Sequence, residues 1–96
     1  MTISQFEIDA ITRKTVLLYN RLKSPEAITK VLSISPETVT IAFSGSFCYE
    51  CGGILNYIQD FAKDFKVFTD TFDLVIGQTR EKSHTSFEVD YKVKHR

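Results

Sequence analysis

Tryptophan is absent, methionine occurs once, and cysteine and proline occur twice each in 96 residues. Two cysteines are too few for the disulfide framework that staples small secreted domains. Two prolines and four glycines, beside 43% hydrophobic residues, exclude a disordered or fibrous chain. Neither sign of charge dominates: Lys and Arg total 12, and Asp and Glu total 12. Residues 1–50 carry five of each sign and residues 51–96 carry seven of each. No strongly basic half exists to grip nucleic acid. Long apolar runs are missing too. The longest, Val16-Leu17-Leu18-Tyr19, is far short of the ~20 residues that a membrane-spanning helix needs. The first ten residues, MTISQFEIDA, lack the apolar stretch of a secretory signal. These absences lead to the expectation of a single cytoplasmic domain over residues 1–96. A domain of that size houses a binding role or one metal site more easily than a deep catalytic pocket.

Against that background, periodicity predicts six elements. Ser4 and Glu7 have the spacing of a capping box, and Ile3 and Ile8 that of a hydrophobic staple. Ile8, Ile11, Thr15, Leu18 and Leu22 then fall on one helical stripe, and Pro25 predicts an end near Lys23. Residues 25–32 can be read as a short helix begun at Ser24-Pro25-Glu26 or as a strand, and the strand is preferred. In that strand Ile28, Lys30, Leu32 and Ile34 share one face. Ser35-Pro36-Glu37-Thr38 is a turn signal. Val39, Ile41 and Phe43 make a half-buried strand, which completes a hairpin. Ile54, Ile58, Phe61 and Phe65 follow the helical i, i+4, i+7, i+11 pattern. The remainder predicts a second hairpin: Phe72, Leu74 and Ile76 alternate, Arg80-Glu81-Lys82-Ser83 form a polar loop, and Phe87, Val89, Tyr91 and Val93 alternate again. The expected fold is α+β in the order α-β-β-α-β-β, an antiparallel sheet of about four strands with two helices packed on one face. The other face is expected to be polar, or covered by a second copy of the chain.

One motif suggests chemistry. Cys48 and Cys51 lie two residues apart between a strand and a helix. That spacing lets both sulfurs face one metal ion or close a small disulfide ring. A helix N-terminus favours the thiolate form of Cys48, while Glu50 opposes it. Gly52 and Gly53 allow close backbone approach. Phe47-Cys48-Tyr49-Glu50-Cys51-Gly52 looks like one zinc-ribbon knuckle. A closed zinc site needs four ligands, which a dimer sharing two cysteine pairs would supply, or His84 and His95 would complete.

The run from Val39 to Cys51, V-T-I-A-F-S-G-S-F-C-Y-E-C, resembles the C-terminal domain of NifU-like iron–sulfur scaffold proteins. That family also runs helix, hairpin, glycine, C-x-x-C, helix, strand, and the resemblance covers about residues 28–65. It implies an iron–sulfur cluster held between C-x-x-C motifs of two subunits, with Cys48 and Cys51 as ligands and Gly45 as the glycine ahead of them. The leading expectation is a metal-binding or iron–sulfur carrier protein, a homodimer that meets a cluster-transfer partner.

The same segment is similar to the active-site stretch of thioredoxins, which implies thiol–disulfide exchange with Cys48 attacking and Cys51 resolving. The enzyme class, if any, would then be a thiol–disulfide oxidoreductase with a protein redox partner. A third reading is a non-enzymatic interaction module with a structural cysteine pair. A basic tail of Lys92, Lys94, His95 and Arg96, with Tyr91 available to stack a base, is the slender case for nucleic acid. Asp60 and Asp64 are expected on a solvated helix face, and Asp70 and Asp73 in a turn. Phosphate-loop, H-E-x-x-H and Ser-His-Asp patterns are absent from the sequence.

Overall fold

The apolar stripe Ile54, Ile58, Phe61 and Phe65 forms one side of a helix, and its position explains most of the architecture. A computed structural model describes residues 5–24, 26–45, 54–83 and 85–95. Its elements run α1 (Gln5–Lys23), β1 (Ile28–Ile34), β2 (Thr38–Ser44), α2 (Ile54–Val67), β3 (Phe72–Ser83) and β4 (Ser86–His95). The four strands form one antiparallel sheet in the order β1-β2-β4-β3. The fold is therefore α+β, as expected. Ser4 and Ile3, and with them the predicted capping box and staple, lie outside the described residues.

The central strands carry the core. Val39, Ile41 and Phe43 of β2 pair with Tyr91, Val89 and Phe87 of β4, and all six are fully buried. Phe43 and Phe87 stack with ring centroids 4.8 Å apart, and Phe61 stacks on Tyr91 at 5.4 Å. Tyr19 of α1 meets Phe43 edge-on at 5.8 Å. The buried side chains of both helices and of the sheet thus form one cluster.

Two tyrosine hydroxyls end within this cluster, and each finds a carbonyl. Tyr19 Oη donates to the Tyr57 carbonyl at 3.1 Å, and Tyr91 Oη to the Ile58 carbonyl at 2.8 Å. Those bonds let large amphipathic rings be fully buried without an orphaned hydroxyl. They also correct the expected face of α1. Its buried residues are Ile8, Thr12, Thr15 and Tyr19, the same i, i+4, i+7, i+11 spacing as in α2. Leu22 is instead exposed and Leu18 only half-buried.

The first hairpin also differs from expectation. β1 is a strand, but Ile28, Lys30 and Leu32 point away from the helices. Its start explains the inversion. Ser24 N–H donates to the Asn20 carbonyl and Ala27 N–H to the Lys23 carbonyl, so the chain turns directly off α1 and places Ala27 in the core. Alternation then carries Thr29 and Val31 inward. Asn20 receives Thr29: its Oδ1 accepts from Thr29 N–H at 2.6 Å and from Oγ1 at 2.9 Å, while Nδ2 donates to the Thr29 carbonyl at 3.0 Å. The register shifts between Val31 and Ser33, and the extra residue, Leu32, returns Ile34 to the inner face opposite Val39.

A third correction concerns Arg80-Glu81-Lys82-Ser83. These residues are not a loop but the outer third of β3, paired to β4 from Arg80↔Glu88 to Ser83↔Ser86. A second register shift, between Ile76 and Thr79, sets Gly77 and Gln78 opposite Asp90. A Cβ on Gly77 would lie 2.7 Å from the Asp90 carbonyl oxygen, so the close approach requires glycine.

Candidate metal site and its surroundings

The stem of the cysteine segment is defined by backbone geometry. β2 ends at Ser44, and Gly45 adopts φ 141°, a conformation that side-chain-bearing residues rarely take. Gly45 N–H donates to the Thr85 carbonyl at 3.2 Å. The chain therefore leaves the sheet beside the β3–β4 turn, three residues before Cys48. It is described again from Ile54, three residues after Cys51, where α2 begins. The first turn of α2 holds no acidic side chain, so nothing in that turn offsets the partial positive charge of the helix end. Cys48 and Cys51 themselves, with Phe47, Tyr49, Glu50, Gly52 and Gly53, lie outside the described residues, as does His84.

Chain reach separates the two histidines. His84 adjoins Thr85, the residue bonded to Gly45. His95 is at the far end of β4, where it pairs with Phe72 and meets that ring edge-on at 5.5 Å. Nine residues of strand put it ~30 Å from the Ser86 end. Cys48 can stray at most ~11 Å from Gly45. His95 and Cys48 of one chain thus cannot share a metal ion, which removes His95 from the expected ligand set.

Other expected candidates fall elsewhere. Tyr91 is fully buried with its hydroxyl on Ile58, so it cannot stack a base. Asp60 is not merely solvated: it accepts from Lys23 Nζ at 2.9 Å across the two helices. That hydrogen bond pushes the Lys23 ammonium above its ordinary range. Asp64, one turn on, is half-buried and its Oδ2 has no partner. Burial, and secondarily the charge of Asp60, push its carboxyl upward. Asp70 is exposed, and Asp73, half-buried, lies 3.7 Å from Lys66.

The best-organised polar cluster was not visible in the sequence. On the outer face of the sheet, Arg80 grips Asp90 with both terminal nitrogens, Nη1 to Oδ2 at 2.8 Å and Nη2 to Oδ1 at 3.0 Å. Thr40 Oγ1 donates to Asp90 Oδ1 at 2.8 Å, and Glu88 lies 3.4 Å from Arg80. The hydrogen bond from Arg80 holds the Asp90 carboxyl below its ordinary range. Every partner here is internal, so the cluster ties three strands together and leaves no poised acid or base. The alternation of Glu88 and Asp90 was its one sequence signal, and reading Arg80 as loop concealed the partner.

Among the described residues, no group of three or more His, Cys, Asp or Glu side chains is placed to hold a metal ion. No described helix is long and apolar enough to cross a membrane. Comparison with family models, curated proteins and solved structures gives no match.

Proposed function

We propose that this chain is a small metal-binding or iron–sulfur carrier protein whose ligands are Cys48 and Cys51. The observation that supports the reading is the frame around the cysteine pair: a glycine-defined strand exit three residues before Cys48 and, three residues after Cys51, a helix whose first turn carries no acidic side chain. A helix end favours thiolates, and thiolates are the metal-ligating form. Two ligands leave a tetrahedral centre half filled. A second copy of the chain, contributing its own pair, completes four, and the functional unit is then a homodimer. In a reducing compartment such as the cytoplasm the pair stays available as thiols.

The test is elemental analysis and visible spectroscopy on protein purified without oxygen and without a metal affinity resin. Iron with sulfide, or zinc at half a mole per chain, is the expected result. Zinc at one mole per chain, lost in His84→Ala, would replace the shared site with one inside the monomer. Metal-free protein from that preparation overturns the reading. Rapid alkylation of Cys48 would then favour thiol–disulfide exchange, for which the same helix end is the supporting feature.

A further inference from the structure

We propose that the outward face of α1 is a docking site for an acidic amphipathic helix of a partner protein. The proposal goes beyond the metal reading and does not depend on the cysteines. Because the inward stripe of α1 runs through Ile8, Thr12, Thr15 and Tyr19, Leu17 must point outward, and it is 72% exposed. It forms a ridge between two open grooves of ≈ 460 and ≈ 450 Å³. One groove lies between α1 and edge strand β1, with Val16, Leu17 and Val31 in its lining. The other is lined by Leu17, Leu18 and Phe68, the residue that follows α2.

Charge selects the occupant. Arg13 flanks the first groove, Lys14 and Arg21 the second, and no described acidic residue lines either. Arg13 is held by Asp9 at 2.5 Å. Among the described residues, Lys14 and Arg21 have no carboxylate within 4 Å. Unpaired cations are therefore concentrated around an apolar floor in a chain of zero net charge. A two-fold pairing of this face with a second copy would set cation against cation, which disfavours self-association here. A bilayer would meet the ridge but leave both grooves unfilled. A helix laid across Leu17, with apolar side chains at i, i+3 or i+4, and i+7, fills both, and its carboxylates reach the two free cations.

The experiment is an amide chemical-shift titration of the full chain with a synthetic helical peptide carrying Leu at that spacing and Glu elsewhere. Its controls are the same peptide with Lys for Glu, and phosphatidylserine–phosphatidylcholine vesicles. Saturable shifts at Lys14, Leu17, Val31 and Phe68 with the Glu peptide alone are expected, and added salt weakens them. Leu17→Ala, on an exposed side chain that folding does not need, weakens binding about tenfold. Lys14→Glu with Arg21→Glu reverses the preference to the Lys peptide. Equal binding of both peptides, or no shifts, overturns the proposal. Vesicle binding without peptide binding replaces the partner by a membrane surface. Shifts at these residues that grow with protein concentration alone replace it by a second copy.

Discussion

Asp90 and Arg80 face each other across β4 and β3 in a two-pronged ion pair, with Thr40 of β2 closing the third side of the carboxylate. Planar, two-point pairing is the geometry in which a partly exposed salt bridge contributes measurably to stability. Asp90→Asn keeps the shape and removes the charge. At pH 7 it is expected to lower Tm by a few degrees. The sign of its pH dependence follows from the depressed carboxyl. Asp90 stabilises the fold above its unfolded value of 3.8, and that contribution is lost as pH falls through the lower folded value. The difference in Tm between parent and variant should therefore close below about pH 3.8. A difference that persists unchanged into acid would mean that the pair is not the source.

Gly77 tests the β3 bulge in the same neighbourhood. The atom that an added Cβ would strike is backbone, the Asp90 carbonyl oxygen at 2.7 Å, so no side chain can swing aside. Gly77→Ala should cost about 1–3 kcal/mol by forcing the two strands apart. Thermal unfolding reads this directly, with Val75→Ala on the same strand as a near-neutral comparison. Equal stability of the two variants would show that the bulge yields freely.

How far the sequence predicted these arrangements depended on whether one local period decided the element. α2 and β4 were legible because Ile58, Phe61, Phe65 and Phe87, Val89, Tyr91 bury the residues that their periods select. β1 was read on the wrong face because its inward positions are set by Ala27 and by an Asn20–Thr29 contact nine residues apart. The bulge at Leu32 then brought the period back into line. In α1, leucines lost the inner face to Tyr19 and Thr12, since Tyr19, unlike a leucine, reaches an acceptor on α2. Hydrophobicity alone does not encode that choice. The outer third of β3 looks like a loop because its stabilising partners, Glu88 and Asp90, stand on another strand. For the candidate site, the C-x-x-C spacing was legible at once, while the separation of His95 from the cysteine segment required the sheet.

Asp64 gives a prediction of opposite sign to Asp90. Its Oδ2 is buried without a partner, and burial raises its carboxyl. A group whose folded value lies above its unfolded value favours the fold when protonated, and that support is lost as pH rises through the folded value. At neutral pH the ionised form is therefore a liability. Asp64→Asn is expected to raise stability at pH 7 by up to about 1 kcal/mol, partial exposure limiting the gain. The gain should vanish below about pH 3.8, where both states are protonated. Denaturant unfolding at the two pH values decides it, and a variant less stable than the parent at pH 7 would mean that Asp64 has a stabilising role.

Tyr19 and Tyr91 set the alkaline limit of the fold. Both rings are fully buried, and desolvation pushes both phenols above their ordinary value of 10.0. Each donates its proton to a carbonyl of α2, so ionisation would place an anion against an acceptor and break the bond. The sign follows as for any acid whose folded value is raised. Stability is fully present below pH 10 and falls as pH rises above it, because the unfolded chain gives up these protons first. Thermal stability should be level up to about pH 9 and then decline steeply, with tyrosinate absorbance appearing together with unfolding. Tyr91→Phe loses the hydrogen bond to Ile58 and leaves that carbonyl one partner short, at a cost of about 1 kcal/mol at pH 7. The same variant has one fewer raised phenol, so its stability must fall less steeply with pH on the alkaline side. A parallel slope in parent and variant would refute the assignment of that slope to Tyr91, whatever the effect at neutral pH.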